Sequence, residues 1–171
     1  MQIYLLRHAI AAPHGTVRNG DDGNRSLTAE GKKKMRYGAQ GMRILGLTFD
    51  RVLSSPLVRC RQTARIVVAQ LRPRPPLQYI SSLAPGSPPA ELIQQLRQLP
   101  PAATVLLVGH EPGLSSLASV LIAGPGSELP LVFKKGGLCR IDFASTLQPG
   151  SGRLIYHLTP RILRSLRTHP S

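Results

Sequence analysis

The chain has few acidic residues, few aromatic residues, almost no cysteine and no long apolar run. Its 171 residues include only 8 Asp and Glu, 4 Tyr, 3 Phe, 2 Cys and no Trp. Cys60 and Cys139 show no paired spacing, which argues against a disulfide or a metal site and favours two reduced thiols. No apolar stretch approaches the roughly 20 residues of a membrane span, and no signal peptide is evident. We therefore expect a cytoplasmic protein.

The scarcity of acids leaves a formal net charge of +14, from 22 Lys and Arg against 8 Asp and Glu. A field of that sign attracts phosphorylated proteins, nucleic acids and membrane surfaces. Aromatic residues form only 4% of the chain, and no arginine-rich block is interleaved with aromatics that could stack on bases. We therefore expect a phosphorylated, acidic partner, and neither nucleic acid nor a membrane.

The chain is long enough for one buried core, and we expect a single domain over residues 1–171. Strands alternate with helices, which is typical of a mostly parallel sheet covered on both faces, and the last two strands resemble a hairpin. The predicted class is α/β, a three-layer α/β/α sandwich with a mixed sheet. The predicted strands are Gln2–Arg7, Arg51–Ser54, Leu77–Ile80, Thr104–Val108, Gly137–Phe143 and Arg153–Leu158. The predicted helices are one capped by Ser26 or Thr28 that runs to about Leu45, then Leu57–Leu71, Ala90–Leu99 and Leu114–Ile122.

Glycines inside the first predicted helix indicate close packing of that helix rather than autonomous stability. They are Gly31, Gly38 and Gly41. A short basic tail begins at about residue 159, and its apolar residues either dock on the body or bind a membrane or partner. So few apolar residues make a weak membrane anchor. Docking on the body is expected for Ile162, Leu163 and Leu166.

Residues suited to phosphate chemistry stand where short apolar strands end. The first predicted strand stops at Arg7 and His8, and ligands of open α/β sheets bind beyond the carboxyl ends of the strands. A neutral imidazole nitrogen can attack phosphorus, and a guanidinium can bind two phosphate oxygens at once. The Arg-His pair alone is weak evidence for a phosphate site, because chance produces this dipeptide in roughly a fifth of chains of this size.

Two further strand exits carry residues of the same kind. The second strand leads through Pro56 to Arg59, and the fourth leads through Gly109 to His110. Three such exits place four cationic or titratable residues around one rim of the sheet: Arg7, His8, Arg59 and His110.

In these segments the sequence resembles the histidine phosphatase superfamily, which has the fold of the cofactor-dependent phosphoglycerate mutases. Within it the likeness is to the small SixA-type phosphohistidine phosphatases. The resemblance extends from Met1 to about Ser119 and implies a phosphatase with a covalent phosphohistidine intermediate and no cofactor. The matching segments are Leu6-Arg7-His8-Ala9, Arg25-Ser26-Leu27-Thr28 with Gly31, Ser54-Ser55-Pro56-Leu57 with Arg59 and Thr63, and Val108-Gly109-His110.

His8 is the predicted nucleophile, with a buried histidine satisfied by the backbone as the alternative. Arg7 and Arg59 would bind the non-bridging phosphoryl oxygens, whose charge needs stabilising during transfer. His110, if protonated, would donate to a phosphoryl oxygen; the alternative is an ordinary loop histidine. These four are the predicted catalytic residues.

Arg25 follows Asp22 by three residues, a spacing that is similar to an Asp-x-x-Arg feature of SixA-like chains. Arg25 either reaches the phosphate as a substrate-binding residue or only pairs with Asp22, and the sequence does not choose between these roles. No histidine or cysteine pair shows metal-ligand spacing, so we expect no metal ion.

The chain lacks the glutamate that many superfamily members carry after the third strand to protonate an alcohol leaving group. That region reads Ile80-Ser81-Ser82-Leu83-Ala84-Pro85-Gly86. An alkoxide leaves poorly without a proton donor, whereas the imidazole of phosphohistidine can leave as a neutral molecule. The resemblance implies that SixA-type enzymes share this absence. Three acids remain candidate substitutes: Asp22, Glu91 and Glu111.

The sequence therefore predicts a phosphatase that removes phosphate from phosphohistidine in a signalling phosphotransfer protein. Two alternatives stay open. One is a phosphatase for a small phosphate ester, and the other is a catalytically idle phosphate-binding module.

Overall fold

The computed structural model describes residues 1–15 and 22–167 and organises them around a six-stranded sheet. The strand order is β3-β2-β4-β1-β5-β6. The strands β3, β2, β4 and β1 run parallel to one another, and β5 and β6 are antiparallel to their neighbours. The predicted mixed, mostly parallel sheet is confirmed. The strands are β1 (Gln2–Arg7), β2 (Arg51–Ser54), β3 (Leu77–Tyr79), β4 (Thr104–Gly109), β5 (Leu138–Asp142) and β6 (Arg153–Leu158).

Helices cover both faces of the sheet, so the predicted three-layer arrangement is confirmed. Alternate residues of β1 enter opposite cores, as the two-residue period of a strand requires. Ile3 and Leu5 pack with residues of α3 and α4, whereas Tyr4 and Leu6 pack with residues of α1, α2 and α5. The helices are α1 (Ala29–Ile44), α2 (Val58–Gln70), α3 (Pro89–Leu96), α4 (Gly113–Ala123) and α5 (Pro160–Ser165), with short 3-10 helices at Asp22–Asn24 and Ser81–Leu83.

Helix α1 is held by its cap and by close backbone contacts. The Thr28 hydroxyl accepts a hydrogen bond from the Gly31 backbone N–H at 2.9 Å, as a serine or threonine N-cap does. A Cβ at Gly31 would collide with the carbonyl oxygen of Ile10, and a Cβ at Gly41 would collide with that of Leu163. The close packing that the helix glycines indicate is therefore present at these two positions.

Of the three apolar tail residues expected to dock on the body, Leu163 is the most deeply buried. Leu163 is fully buried against the core that includes α1, Ile162 is 45% exposed, and Leu166 is partly exposed. Residues 168–171 of the predicted tail lie outside the described residues. Within the described part of the chain, no helix is both long and apolar enough to cross a membrane.

Helix α3 ends at Leu96, earlier than the predicted Leu99. Leu99 precedes Pro100, and the residue before a proline avoids the helical conformation. Cys60 and Cys139 are both free and buried, and they lie in the two different cores.

Candidate active site

The sheet topology brings His8 and His110 together. Strands β1 and β4 are parallel neighbours in which Arg7 is paired with Gly109, so the residue after each strand leaves the sheet at the same edge. The backbone N–H of His8 donates to the Gly109 carbonyl at 3.0 Å, which extends the ladder to the site itself. The two imidazole rings lie 5.2 Å apart, centroid to centroid. Two of the four predicted catalytic residues therefore share one site.

His8 is buried, and its ring is oriented by its own neighbour. Its Nδ1 lies 2.7 Å from the carbonyl oxygen of Ala9, and because a carbonyl only accepts, Nδ1 carries the hydrogen. The lone pair is then on Nε2. Burial lowers the pKa of His8 to about 3, with positive charge on Arg59 and Arg7 contributing in the same sense. The ring is therefore neutral at neutral pH, as a nucleophile must be.

Thr63 ties the segment after β1 to helix α2. Its hydroxyl accepts from the backbone N–H of Ala9 at 3.1 Å and donates to the carbonyl of Arg59 at 2.7 Å. Thr63 is fully buried. Its contacts link the residue that orients His8 with the turn that carries Arg59. Thr63 stands in a matched segment, but the sequence predicts no role for it. Its contact with Ala9 spans 54 positions, and nothing local predicts that contact.

Arg59 lies in the first turn of α2 and points into the site. It is 3% exposed, and its Nε donates to Nδ1 of His110 at 3.2 Å. Its two terminal nitrogens contact Asp22: one donates to the backbone carbonyl at 2.8 Å, and the other lies 3.1 Å from the carboxylate. The guanidinium is thus fixed next to His110.

His110 is also buried and neutral in this arrangement. Because its Nδ1 accepts from Arg59, the hydrogen is on Nε2, which donates to the Ser55 hydroxyl at 2.8 Å. Burial lowers the pKa of His110 to about 4, and the Arg59 charge contributes. The predicted donation from His110 to a phosphoryl oxygen is conditional on a protonated ring. A bound phosphoryl dianion would favour that form by its charge. Ser55 has no predicted role, although it stands in the matched Ser-Ser-Pro-Leu segment.

Arg7 supplies donors to the same cleft. One terminal nitrogen donates to the carbonyl of Phe133 at 2.6 Å, which anchors the guanidinium. Its buried Nε has no hydrogen-bond partner among the described residues. A buried N–H without an acceptor is costly, and a phosphoryl oxygen in the cleft would satisfy it.

Arg25 pairs with Asp22, the second of its two predicted roles. Its Nε lies 2.5 Å from the Asp22 carboxylate, another nitrogen donates to the Ala12 carbonyl at 2.8 Å, and a third lies 3.3 Å from His14 Nε2. The hydrogen bond from Arg25 holds the pKa of Asp22 below its usual value. Asp22 in turn lies against Arg59, so its carboxylate links the two guanidinium groups. His14, which also contacts Asp22 at 2.8 Å, has no predicted role.

The three candidate acids occupy different surroundings. Asp22 is ionised among cations, as its lowered pKa indicates, and is a poor proton donor. Glu91 is exposed on α3 and does not line the cleft. Glu111 does line the cleft, and its Oε1 is buried without a hydrogen-bond partner among the described residues. Of the three, only Glu111 is placed to give a proton to a leaving group.

The four predicted catalytic residues all line one open cleft of about 460 Å³. Arg25, Asp22, Glu111, His14, Pro85 and Lys135 also line it. Among residues 1–15 and 22–167, no group of three or more His, Cys, Asp or Glu is arranged to hold a metal ion. The side chains available for chemistry in the cleft include two neutral imidazoles and the guanidinium groups of Arg7, Arg25 and Arg59. They also include the Glu111 carboxyl, whose Oε1 has no partner among the described residues.

Comparison with known proteins defines the family. Residues 3–84 match the model of the histidine phosphatase superfamily, branch 1. An uncharacterized protein of Picosynechococcus sp. is 38% identical over 161 residues, which cover 92% of this chain and 90% of that protein.

Solved structures give the same result for the fold. The structure of the protein histidine phosphatase SixA complexed with tungstate matches at a TM-score of 0.81 and 26% identity, over 95% of this chain and 99% of SixA. The alpha-ribazole phosphatase of Shigella flexneri matches at a TM-score of 0.65 and 19% identity, over 88% and 96% of the two chains. The chain belongs to the histidine phosphatase superfamily. Its structure is SixA-like, and the activity class that the family and the site define is that of a phosphatase.

Proposed function

We propose that this phosphatase removes phosphate from phosphohistidine in a protein, with His8 as the nucleophile. The observation that carries the proposal is the His8 ring itself. Its Nδ1–H is held by the Ala9 carbonyl, and its pKa of about 3 keeps Nε2 unprotonated beside Arg7, Arg59 and His110. A module that only binds phosphate would not need a neutral imidazole between two arginines, whereas a nucleophile needs an unprotonated nitrogen.

In the first step the Nε2 lone pair of His8 forms a bond to phosphorus. The bond between phosphorus and the substrate nitrogen breaks, and its electron pair stays on that nitrogen. A substrate imidazole that already carries a proton on its other nitrogen then leaves as a neutral molecule, and no acid is needed. Arg7 and Arg59 donate to the non-bridging oxygens, where negative charge must be stabilised during the transfer.

In the second step a water oxygen bonds to phosphorus, its proton passes to solvent, and the bond from phosphorus to His8 Nε2 breaks. His8 keeps its Nδ1 hydrogen throughout because the Ala9 carbonyl accepts it at 2.7 Å. His8 therefore also leaves as a neutral imidazole. The substrate and the intermediate are the same chemical group, so one set of donors serves both steps.

Two further observations support phosphohistidine over an ester. The segment from Ser81 to Ala84, where many superfamily members carry a glutamate, contains no acid. The SixA structure that this chain matches is described as a protein histidine phosphatase.

The charge of the chain bears on a separate question, whether the substrate is a protein. The excess of 22 basic over 8 acidic residues favours a phosphorylated protein as the substrate.

The test is a comparison of kcat/KM on a phosphohistidine protein, on phosphoramidate and on a simple alkyl phosphate. Loss of a needed general acid typically costs about 10²–10⁴-fold in rate. We expect the alkyl phosphate to be slower than phosphoramidate by a factor in that range. Equal kcat/KM on the two small substrates would contradict the proposal.

A second candidate, hydrolysis of a small phosphate ester, is favoured by one observation. Glu111 lines the cleft, its buried Oε1 has no hydrogen-bond partner among the described residues, and a carboxylic acid there could protonate an alkoxide. Under this alternative, Glu111→Gln lowers ester hydrolysis at least about 100-fold and leaves phosphoramidate hydrolysis nearly unchanged. Glu91→Gln is the control, because Glu91 is exposed and lies outside the cleft.

A further inference from the structure

We propose that a basic groove beside the catalytic cleft binds an acidic segment of the phosphorylated protein substrate. The groove has a volume of about 380 Å³ and lies between α1, the segment before β5, and α5. The inference rests on the proposed function, since it identifies how that substrate is recognised.

The groove adjoins the catalytic cleft. Arg7 and Lys135 line both. Because Arg7 is also a proposed phosphate ligand, a chain that leaves its phosphohistidine in the cleft can enter the groove within a short distance. The groove is therefore placed to contact residues that neighbour the phosphohistidine.

All charged residues that line the groove are cations: Arg7, Lys34, Lys134, Lys135 and Arg164. Lys134 and Lys135 are exposed and form no ion pair with any described residue. Lys34 pairs with Glu30, one turn earlier on α1, at 2.5 Å. Glu30 is 63% exposed on the side chain and does not line the groove. Glu30 thus offsets one of the five positive charges, and the groove keeps a net positive charge.

The cations come from four parts of the fold, namely β1, α1, the segment before β5, and α5, and they surround an apolar floor. The floor includes Ile10, Met35, Gly38 and Pro160. A compact phosphate is usually held by donors that converge on one point, as in the catalytic cleft. Cations spread along an apolar trough instead suit a peptide that carries several carboxylates and packs its aliphatic parts on the floor. We therefore assign the groove to an acidic protein segment.

The experiment uses two synthetic peptides, each phosphorylated on a single histidine. They are identical except that three residues near the histidine are Asp in one peptide and Asn in the other. For the unmodified enzyme we expect kcat/KM to be about tenfold higher on the acidic peptide, mainly through KM, because exposed charge pairs each contribute modestly. Raising the ionic strength should reduce that preference.

The variant Lys134→Glu/Arg164→Glu should bring the ratio between the two peptides to about one, with the neutral peptide and phosphoramidate hydrolysed as before. Lys33→Glu/Arg153→Glu is the matched control. It makes the same change in net charge at exposed positions of α1 and β6 that do not line the groove. The control should retain the preference for the acidic peptide.

Three results would overturn the inference. Equal kcat/KM of the unmodified enzyme on both peptides, or equal loss of preference in the variant and the control, would show that the groove is not the recognition site while the phosphohistidine activity stands. Hydrolysis of phosphoramidate with neither peptide turned over would instead overturn the proposed protein substrate, and the groove with it.

Discussion

His8 and His110 show how burial sets the chemistry of single residues. Both rings are about 5% exposed and have pKa values lowered to about 3 and about 4, so both are neutral where an exposed histidine would be partly charged. The partner of each Nδ1 differs. In His8 it is a carbonyl acceptor, which leaves Nε2 free to attack, and in His110 it is the Arg59 donor.

The lowered pKa of His8 predicts a loss of stability in acid. Between about pH 5.5 and 4.5 the unfolded chain binds a proton at His8 that the folded chain does not. The free energy of unfolding therefore falls as pH falls, by about 1.4 kcal/mol per pH unit for that group. In urea unfolding over this range, His8→Asn should flatten the slope by about that amount. A slope unchanged from that of the unmodified protein would contradict the assigned pKa.

Thr63 predicts a second effect at the residue scale. Thr63→Val removes the acceptor of the buried Ala9 N–H and the donor to the Arg59 carbonyl. We expect a loss of about 1–3 kcal/mol in the free energy of unfolding, with a lower kcat because His8 and Arg59 lose their link. Thr63→Ser keeps the hydroxyl and serves as the control. Equal behaviour of the valine and serine variants would show that the hydroxyl contributes nothing.

The sequence predicts the site residues that stand at strand exits and misses those that act across the fold. Arg7, His8, Arg59 and His110 all lie in one cleft, as expected from three separate exits. Ser55 contacts His110 across 55 positions, and nothing in the sequence around either residue predicts that distance. The same holds for the contact between His14 and Asp22, which the sequence around either residue does not predict.

At the scale of elements, the strands follow closely from apolar runs and the helices from their caps and periodicity. The strand order β3-β2-β4-β1-β5-β6 does not follow, because neighbours such as β1 and β4 are separated by two other strands in the chain. The contact between α5 and α1 also escapes prediction. It depends on Leu163 approaching a glycine in α1, and only the folded backbone shows which glycine is concerned.

Gly41 and Gly38 make a matched pair for testing that contact. Gly41→Ala places a methyl group against the Leu163 carbonyl, whereas the nearest atom to a Cβ at Gly38 is the flexible end of Met35, at 3.3 Å. We expect Gly41→Ala to lower the free energy of unfolding by about 1–3 kcal/mol. Gly38→Ala should be nearly neutral, because the higher helix propensity of alanine, about 1 kcal/mol over glycine, offsets the slight crowding of Met35. Urea unfolding of both variants measures the difference, and equal effects would contradict the close approach of α5.

At the scale of the whole molecule, part of the positive charge behind the net +14 borders the candidate active site and the adjoining groove. The sequence predicts an acidic, phosphorylated partner from the total alone. The structure places buried arginines at the candidate active site and exposed lysines along the adjoining groove, so the proposed recognition site lies next to the proposed site of catalysis. Because exposed charges are screened by salt, encounter with an acidic protein should slow as ionic strength rises.

Rapid mixing tests whether the phosphoryl group of the substrate is transferred to Nε2 of His8. The enzyme is mixed with a phosphohistidine protein labelled in its phosphate and quenched in alkali, since phosphohistidine is labile in acid. We expect label on His8 within the first turnover, no labelled enzyme for His8→Ala, and a loss of activity on the order of 10³-fold or more in that variant. Label on another residue, or turnover by His8→Ala at the rate of the unmodified enzyme, would contradict the transfer to His8.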